Sequence, residues 1–465
     1  MRLYLLLVPR RRLLCKPLFF LLAGVVLSGC ATFSKDGGLD AVRSVTQQHI
    51  KQEVVWPKSA LAQKQVSAQV DALLTQPLDV ESAVQIALLN NQGLQASLYA
   101  LGISESEVVQ AGRLPNPKFS MLYARHNGDY KIEQALTFNL FSILALPKML
   151  EIERQNFELT KQKVALEVLR LAYQTRQAYF NAVAASQYVE YSLQVKESAE
   201  ASAELADRMV KAGNWNALDQ ARERGFYADA MLDVLNAKKQ QVSTHERLSR
   251  LLGVSIEKIN LQSRLPDLPQ TMEALNPLEQ SAFEQRLDLL AMRQKTASLA
   301  KQLGLTKVTS VMNVLEIGPA RVLEGRRGDA YKHGVDISFE LPLFDSGSAK
   351  VAGAEARYMQ AVNRTAQIAV NAQSEIREAH HHYVTSYVIA KQYRDEIIPL
   401  RKKILAENQL RYNGMLISPF ELLADARAQV ASVNSYIEKL NAFWQAETAL
   451  QMTLVGNTNW LEGNQ

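Results

Sequence analysis

His380, His381 and His382 form the densest cluster of metal-ligating side chains in the chain. Consecutive helical positions point about 100° apart, so a single helix cannot aim all three at one ion. That leaves a solvated or pore-lining row, with a metal site shared between copies as the alternative. Asp219, Glu421 and Asp425 are the acids of interest. Each falls in the first turns of a helix, where a carboxylate serves the helix dipole or a cap. Repeated by threefold symmetry, the same acids would instead form rings that select cations. The chain contains no Walker loop, no Gly-x-Ser-x-Gly, no His-Glu-x-x-His and no dinucleotide fingerprint. No catalytic residue can be named and no cofactor is expected, so the chain does not read as an enzyme.

The cysteines are Cys15 and Cys30. A positive start with an apolar stretch from Leu18 to Leu27 reads as a secretory signal, too short to span a bilayer. It ends in Leu27-Ser28-Gly29-Cys30, which resembles the bacterial lipobox whose cysteine becomes the acylated first residue. The expectation is a signal peptide over 1–29 and a palmitate-type lipid on Cys30. A chance cleavage site beside an incidental cysteine is the bland alternative. Ala31 follows, not the aspartate that resembles an inner-membrane retention signal, so sorting to the outer membrane is expected. Arg2, Arg10, Arg11, Arg12 and Lys16 account for the whole formal charge of +5, which leaves no basic surface for nucleic acid. With 47% apolar and 21% charged residues, the chain is expected to fold and pack.

The elements that would position these residues come in two similar halves. Leu78-Asp79-Val80-Glu81-Ser82-Ala83 is echoed by Leu278-Glu279-Gln280-Ser281-Ala282-Phe283, and Leu140-Phe141 by Leu343-Phe344. Lys211-Ala212-Gly213 matches Tyr412-Asn413-Gly414, and Leu251-Leu252-Gly253 matches Leu454-Val455-Gly456. The expected plan is an N-terminal anchor segment over 30–77, a first repeat over 78–256 and a linker over 257–277. A second repeat over 278–456 and a tail over 457–465 complete it. Each repeat reads as a moderate helix, two strands, a very long helix, a break at glycine and a second long helix.

Heptads mark the long helices. Ala369, Ile376, Tyr383, Ala390, Ile397 and Ile404 recur every seven residues, and Leu423, Ala426, Val430, Val433, Ile437, Leu440 and Trp444 alternate steps of three and four. Phe157, Val164, Leu171, Ala178 and Ala185 repeat the pattern more loosely in the first half, followed by Leu218, Ala221, Gly225, Ala228, Leu232 and Leu235. The first long helix is expected from about Pro147, with that proline in its first turn, and Pro399 is expected to kink the later one. Between the helices, Val335, Ile337, Phe339 and Leu341 alternate with polar residues, as do Leu136, Phe138 and Leu140 with Ala135, Thr137 and Asn139. Their partners are expected near Lys118–Arg125 and Lys307–Glu316. Asn127-Gly128 supplies one turn and a loop over Gly318–Lys332 the other. Four strands are too few to close a barrel. Either they pack on a soluble core or several copies pool them.

Gly334-Val335-Asp336-Ile337-Ser338-Phe339-Glu340-Leu341-Pro342-Leu343-Phe344-Asp345-Ser346-Gly347 resembles the strand-to-helix junction of the TolC family of outer-membrane channels. Arg286-Leu287-Asp288-Leu289 is similar to that family's Arg-Pro-Asp-Leu element, with Leu287 in place of proline. The resemblance runs from about Leu78 to Gly456. It implies a mainly α fold with tandem-duplicated coiled-coil helices in a trimeric α-barrel, and four strands per chain in a 12-stranded outer-membrane β-barrel. It also implies a passive, lipid-anchored efflux duct extending into the periplasm, partnered by a periplasmic adaptor (membrane fusion) protein and an inner-membrane pump. The same channel serving type I protein secretion is the near alternative; a periplasmic adaptor or a scaffold lipoprotein are the distant ones. On this reading the breaks near Gly213 and Gly414 form the periplasmic tip. Asn214, Trp215, Asn216, Asp219, Met415, Leu416, Ile417, Glu421 and Asp425 are then the candidates for gating or adaptor docking.

Overall fold

The computed structural model describes residues 32–272, 286–310, 314–326, 328–340 and 342–457. The signal-peptide reading, Cys30, the echo over 278–283, Leu341 and most of the C-terminal tail lie outside them. In chain order the elements are α1 (Leu39–Ile50), α2 (Ala60–Leu73), α3 (Val80–Asn90), α4 (Gln92–Ala111), β1 (Lys118–His126), β2 (Asp129–Asn139), α5 (Leu140–Lys211) and α6 (Ala217–Leu252). There follow α7 (Leu287–Thr309), β3 (Leu315–Gly325), β4 (Lys332–Phe339), α8 (Ser348–Gln392), α9 (Ile398–Asn413) and α10 (Pro419–Val455). The expected order of helix, strand pair, long helix, break and returning helix thus occurs twice. Cα packing groups the chain into two compact units, each drawing on both halves of the sequence.

One unit comprises Met1–Gly38, Ala100–Lys161 and Met292–Arg364 and holds the four strands, which pair antiparallel in the order β1-β2-β3-β4. Asn127 and Gly128 take φ of 46° and 92°, as a two-residue hairpin turn needs, between the paired His126 and Asp129. The register puts Phe119, Met121, Tyr123, Ile132, Leu136, Phe138, Ile317, Val335, Ile337 and Phe339 on one face. Most of them are exposed. Lys118, Lys131, Glu133, Glu316, Glu324, Lys332 and Asp336 occupy the other face, where Lys118–Glu316, Lys131–Glu133 and Lys332–Glu324 pair at 3.5, 2.8 and 3.8 Å. Outside the sheet, Ser298 donates to Asn156 at 2.9 Å and Lys301 pairs with Glu151 at 2.6 Å, tying α7 to the start of α5.

Two sequence expectations need correction here. The third strand runs over Leu315–Gly325, not Lys307–Glu316; Lys307 still belongs to α7. Gly318 and Pro319, read as loop residues, lie within the strand. The ladder with β2 lapses between Ala135–Ala320 and Phe138–Ile317, where proline has no N–H to give. A β-carbon on Gly318 would stand 1.8 Å from the Leu136 carbonyl oxygen, so that glycine marks a close approach of two backbones. The second correction concerns Pro147. It sits inside α5, which starts at Leu140 with the Asn139 side chain accepting from Ser142 N at 2.9 Å.

The other unit comprises Leu39–Tyr99, Gln162–Ala291 and Thr365–Gln465. Its core joins Val84, Ile86, Leu88 and Leu89 of α3 with Leu166, Leu169, Ala172, Tyr179 and Phe180 of α5. Phe180 stacks on Trp444 at 5.2 Å, and Phe443 packs against Trp444, Tyr383 and Tyr387. Val164, Leu171, Ala178 and Ala185 are buried as the heptads predict, and so are Ile376, Tyr383 and Ala390. Pro399 produces its irregularity as a five-residue π-helical turn over Tyr393–Ile397, just ahead of the ring. In α6 the predicted seam is not the one that packs within the chain: Leu218, Leu232 and Leu235 are exposed, while Ala230, Val234 and Ala237 are buried. This helix carries two apolar stripes, and the chain's own packing takes only one.

Both returning helices end in matched clamps. Asn90 donates to the carbonyls of Leu252 and Gly253 at 3.0 and 2.8 Å, and Asn91 donates to that of Leu251 at 2.9 Å. At the second end Asp288 accepts from Asn457 N at 2.9 Å and is gripped by Arg286, itself paired with Glu375 at 2.9 Å. Arg286 and Asp288 are each 1% exposed.

Candidate functional site

The two helix-to-helix turns lie in the second unit and are built alike. After α5, Gly213 takes φ 77°, Gly213 N donates to Val210 O at 3.0 Å, and Asn214 N donates to Met209 O at 2.9 Å. After α9, Met415 takes φ 57°, Met415 N donates to Tyr412 O at 2.9 Å, and Leu416 N donates to Arg411 O at 2.9 Å. These are the same paired bonds that close a helix on a left-handed residue. The left-handed position of the second turn is therefore Met415, not Gly414, whose φ is −83°. The sequence alignment of Gly213 with Gly414 is one residue short.

Both helices that follow start on a side-chain cap. Asn216 accepts from Asp219 N at 2.9 Å, and Ser418 accepts from Glu421 N at 3.3 Å. Asp219 turns its carboxylate back on Asn216 Nδ2 at 2.9 Å and on Arg222 at 3.4 Å, whereas Glu421 is exposed. Met415 and Leu416 are 93% and 77% exposed, an unusual state for large apolar side chains. Asn214 is exposed and Trp215 half-buried.

Behind the turns each hairpin has a polar clasp. In the first, Arg224 reaches across from α6 to grip Asp207 of α5 with two bonds of 3.1 and 2.8 Å, and Gln220 adds a third at 2.8 Å. Those bonds, Arg224's above all, hold the Asp207 carboxyl below its ordinary value. In the second, Asn408 of α9 donates to Asp425 of α10. A further link joins one hairpin to the other: Arg427 of α10 pairs with the fully buried Glu223 of α6. The Arg427 guanidinium also lies over the Phe226 ring, 4.4 Å from its centre.

The structure thus places Asp219 and Glu421 at equivalent positions one turn inside their helices. Asp425 has Glu223 as its equivalent in the first hairpin. Glu223, Arg427, Asp207 and Arg224 were missed from the sequence. The signal for Glu223 was available, because it follows Asp219 by four residues as Asp425 follows Glu421. The histidine row does not converge: His382 approaches Glu378 at 3.7 Å with both side chains exposed, and no group of three metal-ligating side chains occurs among the described residues.

Residues 83–254 match the profile of the family described as Outer membrane efflux protein. The cobalt-zinc-cadmium resistance protein CzcC of Cupriavidus metallidurans is 20% identical over 382 residues, covering 81% of this chain and 90% of that protein. Among solved structures, the outer-membrane channel OprN is 18% identical at a TM-score of 0.67, covering 90% of this chain and 96% of its own. CusC, whose structures concern transmembrane channel formation, is 18% identical at a TM-score of 0.64, covering 81% and 92%. The likeness to these structures establishes a shared fold.

Proposed function

We propose a working scheme from one premise: the chain belongs to the outer membrane efflux protein family and is a passive efflux channel of the outer membrane that extends into the periplasm, with no enzymatic activity. Three copies pool their strands into one 12-stranded barrel, and their long helices form the periplasmic duct. The observation that carries this is the sheet. Its apolar face is largely exposed, its other face is charged, and among the described residues β1 and β4 each have one unpaired edge. Such a sheet is stable where the apolar face meets lipid and neighbouring copies complete the edges. The second stripe of α6, with Leu218, Leu232 and Leu235, gives the same copies a helical contact.

On this reading Cys30 carries the lipid that tethers the amino terminus to the outer membrane. The turns at Gly213–Trp215 and Gly414–Leu416 are the periplasmic tip, where exposed Met415 and Leu416 dock a periplasmic adaptor that couples the duct to an inner-membrane pump. Glu223–Arg427 holds the two hairpins together in the closed state, and opening separates them. Asp219, Glu421 and Asp425 supply negative charge at the entrance. The curated relative is named for resistance to cobalt, zinc and cadmium, which makes divalent transition-metal ions the cargo class to test first.

Purified protein in planar bilayers is expected to give steady conductance steps with cation preference. Replacing Asp219, Glu421 and Asp425 together by their amides should weaken that preference. Unchanged selectivity would remove these acids from the pore, and no conductance from the wild-type protein would remove the duct.

A further inference from the structure

The apolar face of the sheet is not uniformly apolar. Successive rows across it read Phe339 with Leu315, then Ile337, Ile317 and Phe138, then Val335, Pro319, Leu136 and Phe119. The next row is His333, Arg321, Gln134 and Met121. Beyond it lie Leu323, Ile132 and Tyr123, then Tyr130 beside Arg125. Two arginines, a histidine and a glutamine therefore share a face otherwise made of apolar groups.

Their surroundings differ from those of the cations opposite. On the polar face Lys118, Lys131 and Lys332 each have a glutamate. On the apolar face the described strands contribute no carboxylate at all: Asp129, Glu133, Glu316, Glu324 and Asp336 all fall on the polar one. Arg321 donates to Gln134 Oε1 at 2.6 Å and lies 4.9 Å from the centre of the Tyr331 ring. Arg125 lies 5.2 Å from that of Tyr130. Both are held by neutral partners, and neither has an ion pair among the described residues.

Depth gives this meaning. A two-residue step along a strand is about 6.7 Å, or about 5 Å of height at the usual barrel tilt. The His333–Arg321 row, three steps from the helix-bearing end, then sits about 15 Å up, and Arg125 about 25 Å up, near the outer rim of the apolar band. Arg321 leans toward Tyr331 in the outer loop, so its charge is carried outward. An arginine on a lipid-facing surface is destabilising in proportion to its depth, and an anion that meets it relieves that cost. An anion able to reach this face from the membrane side is a phosphate on a lipid. A hollow of about 340 Å³ lined by Phe119, Leu136, Pro319, Arg321 and His333 offers apolar walls beside the charge for its acyl chains.

We propose that Arg321 and Arg125, the two arginines on the apolar face, form a binding site for the phosphate groups of an outer-leaflet lipid on the outside of the barrel. The inference rests on the barrel reading. If that reading failed, the wild-type protein would show neither trimers nor conductance. Failure of the lipid site would leave both intact.

The test is native mass spectrometry of the protein in mild detergent, comparing wild type with R321Q, R125Q/R321Q, the charge-conserving R321K and the opposite-face control K332Q. Wild type, R321K and K332Q are expected to retain phosphorylated lipid. R321Q should retain several-fold less, and the double variant none. Should R321Q not assemble, R125Q alone carries the same comparison. Delipidated wild type should rebind bisphosphorylated lipid A but not its dephosphorylated form, and millimolar inorganic phosphate should not displace it. Equal retention by assembled R125Q/R321Q, or equal rebinding of dephosphorylated lipid, overturns the site. Displacement by inorganic phosphate would mean that a free anion, not a lipid, is the occupant, and overturns it equally.

Discussion

Met415 is held at φ 57° by the two backbone bonds that close α9, in a conformation that costs a residue bearing a β-carbon about 1–2 kcal/mol. Glycine at the equivalent position 213 escapes that cost. Met415→Gly is therefore expected to stabilise the second turn by about 1 kcal/mol and Gly213→Ala to destabilise the first by a similar amount. Gly414→Ala should be near neutral, because a β-carbon there meets nothing closer than 3.5 Å and the backbone is not left-handed. Thermal midpoints of the three variants check this, and a stabilising Gly213→Ala would contradict it. That a strained methionine persists at an exposed tip fits a docking role, and adaptor binding by Met415→Gly separates that role from stability. Arg286 is the opposite case, a buried cation between Asp288 and Glu375. Arg286→Leu strands Asp288 without its partner beside the Gly456 backbone and should cost about 3–5 kcal/mol. A denaturation midpoint close to wild type would show that water or another cation takes its place.

At the scale of elements, the pairing of α5 with α6 carries a pH dependence. His245 on α6 shares a 2.8 Å hydrogen bond with Ser186 on α5, and burial holds its pKa below the ordinary 6.5. The folded state thus favours the neutral ring, and between the two pKa values the unfolded chain binds more protons. The contribution is complete above about pH 6.5 and is lost as pH falls through the folded value. His49 on α1, also lowered by burial, adds a loss of the same sign. Unfolding midpoints measured from pH 7.5 to 5 should fall less for His245→Gln than for wild type; parallel curves would exclude His245 as a source. Much of this scale was legible in the sequence. Alternation gave β2 and β4, Asn127-Gly128 gave a turn, and heptads gave α5, α8 and α10. What was misread shares one physical origin: local signals were overridden by contacts with distant segments. Gly318 and Pro319 look like breakers until Leu136 lies across them. Pro147 looks like a helix start until Asn139 caps the chain earlier. The exposed stripe of α6 looks like a core seam because sequence does not say whether the surface that covers it belongs to the same molecule. Glu223 was passed over because its partner Arg427 lies 204 residues away.

For the whole molecule, the decisive question is what completes the outer edges of β1 and β4. Within one chain the two edges are separated by β2 and β3, so their Cα atoms are about 14 Å apart at the usual strand spacing. A disulfide needs Cα atoms within about 7 Å. A cysteine on β1 and another on β4 therefore cannot join within one flat sheet, but can join between copies whose edges pair. In a closed ring of three the cross-link must propagate to a covalent trimer and stop there, since the third bond returns to the first copy. An open or soluble arrangement gives no such limit: it yields monomers, or ladders that run past three. Pairs combining Ser120 or Ala124 with Gly334 or Ser338, all on the polar face, sample the plausible registers without touching the apolar surface. At least one pair is expected to give a trimer band on non-reducing gels that collapses with reductant. The corresponding single substitutions should give none, which also controls for Cys30. A complete panel yielding only monomer from properly folded protein would mean that the strand edges are satisfied some other way, and the shared barrel would have to be abandoned.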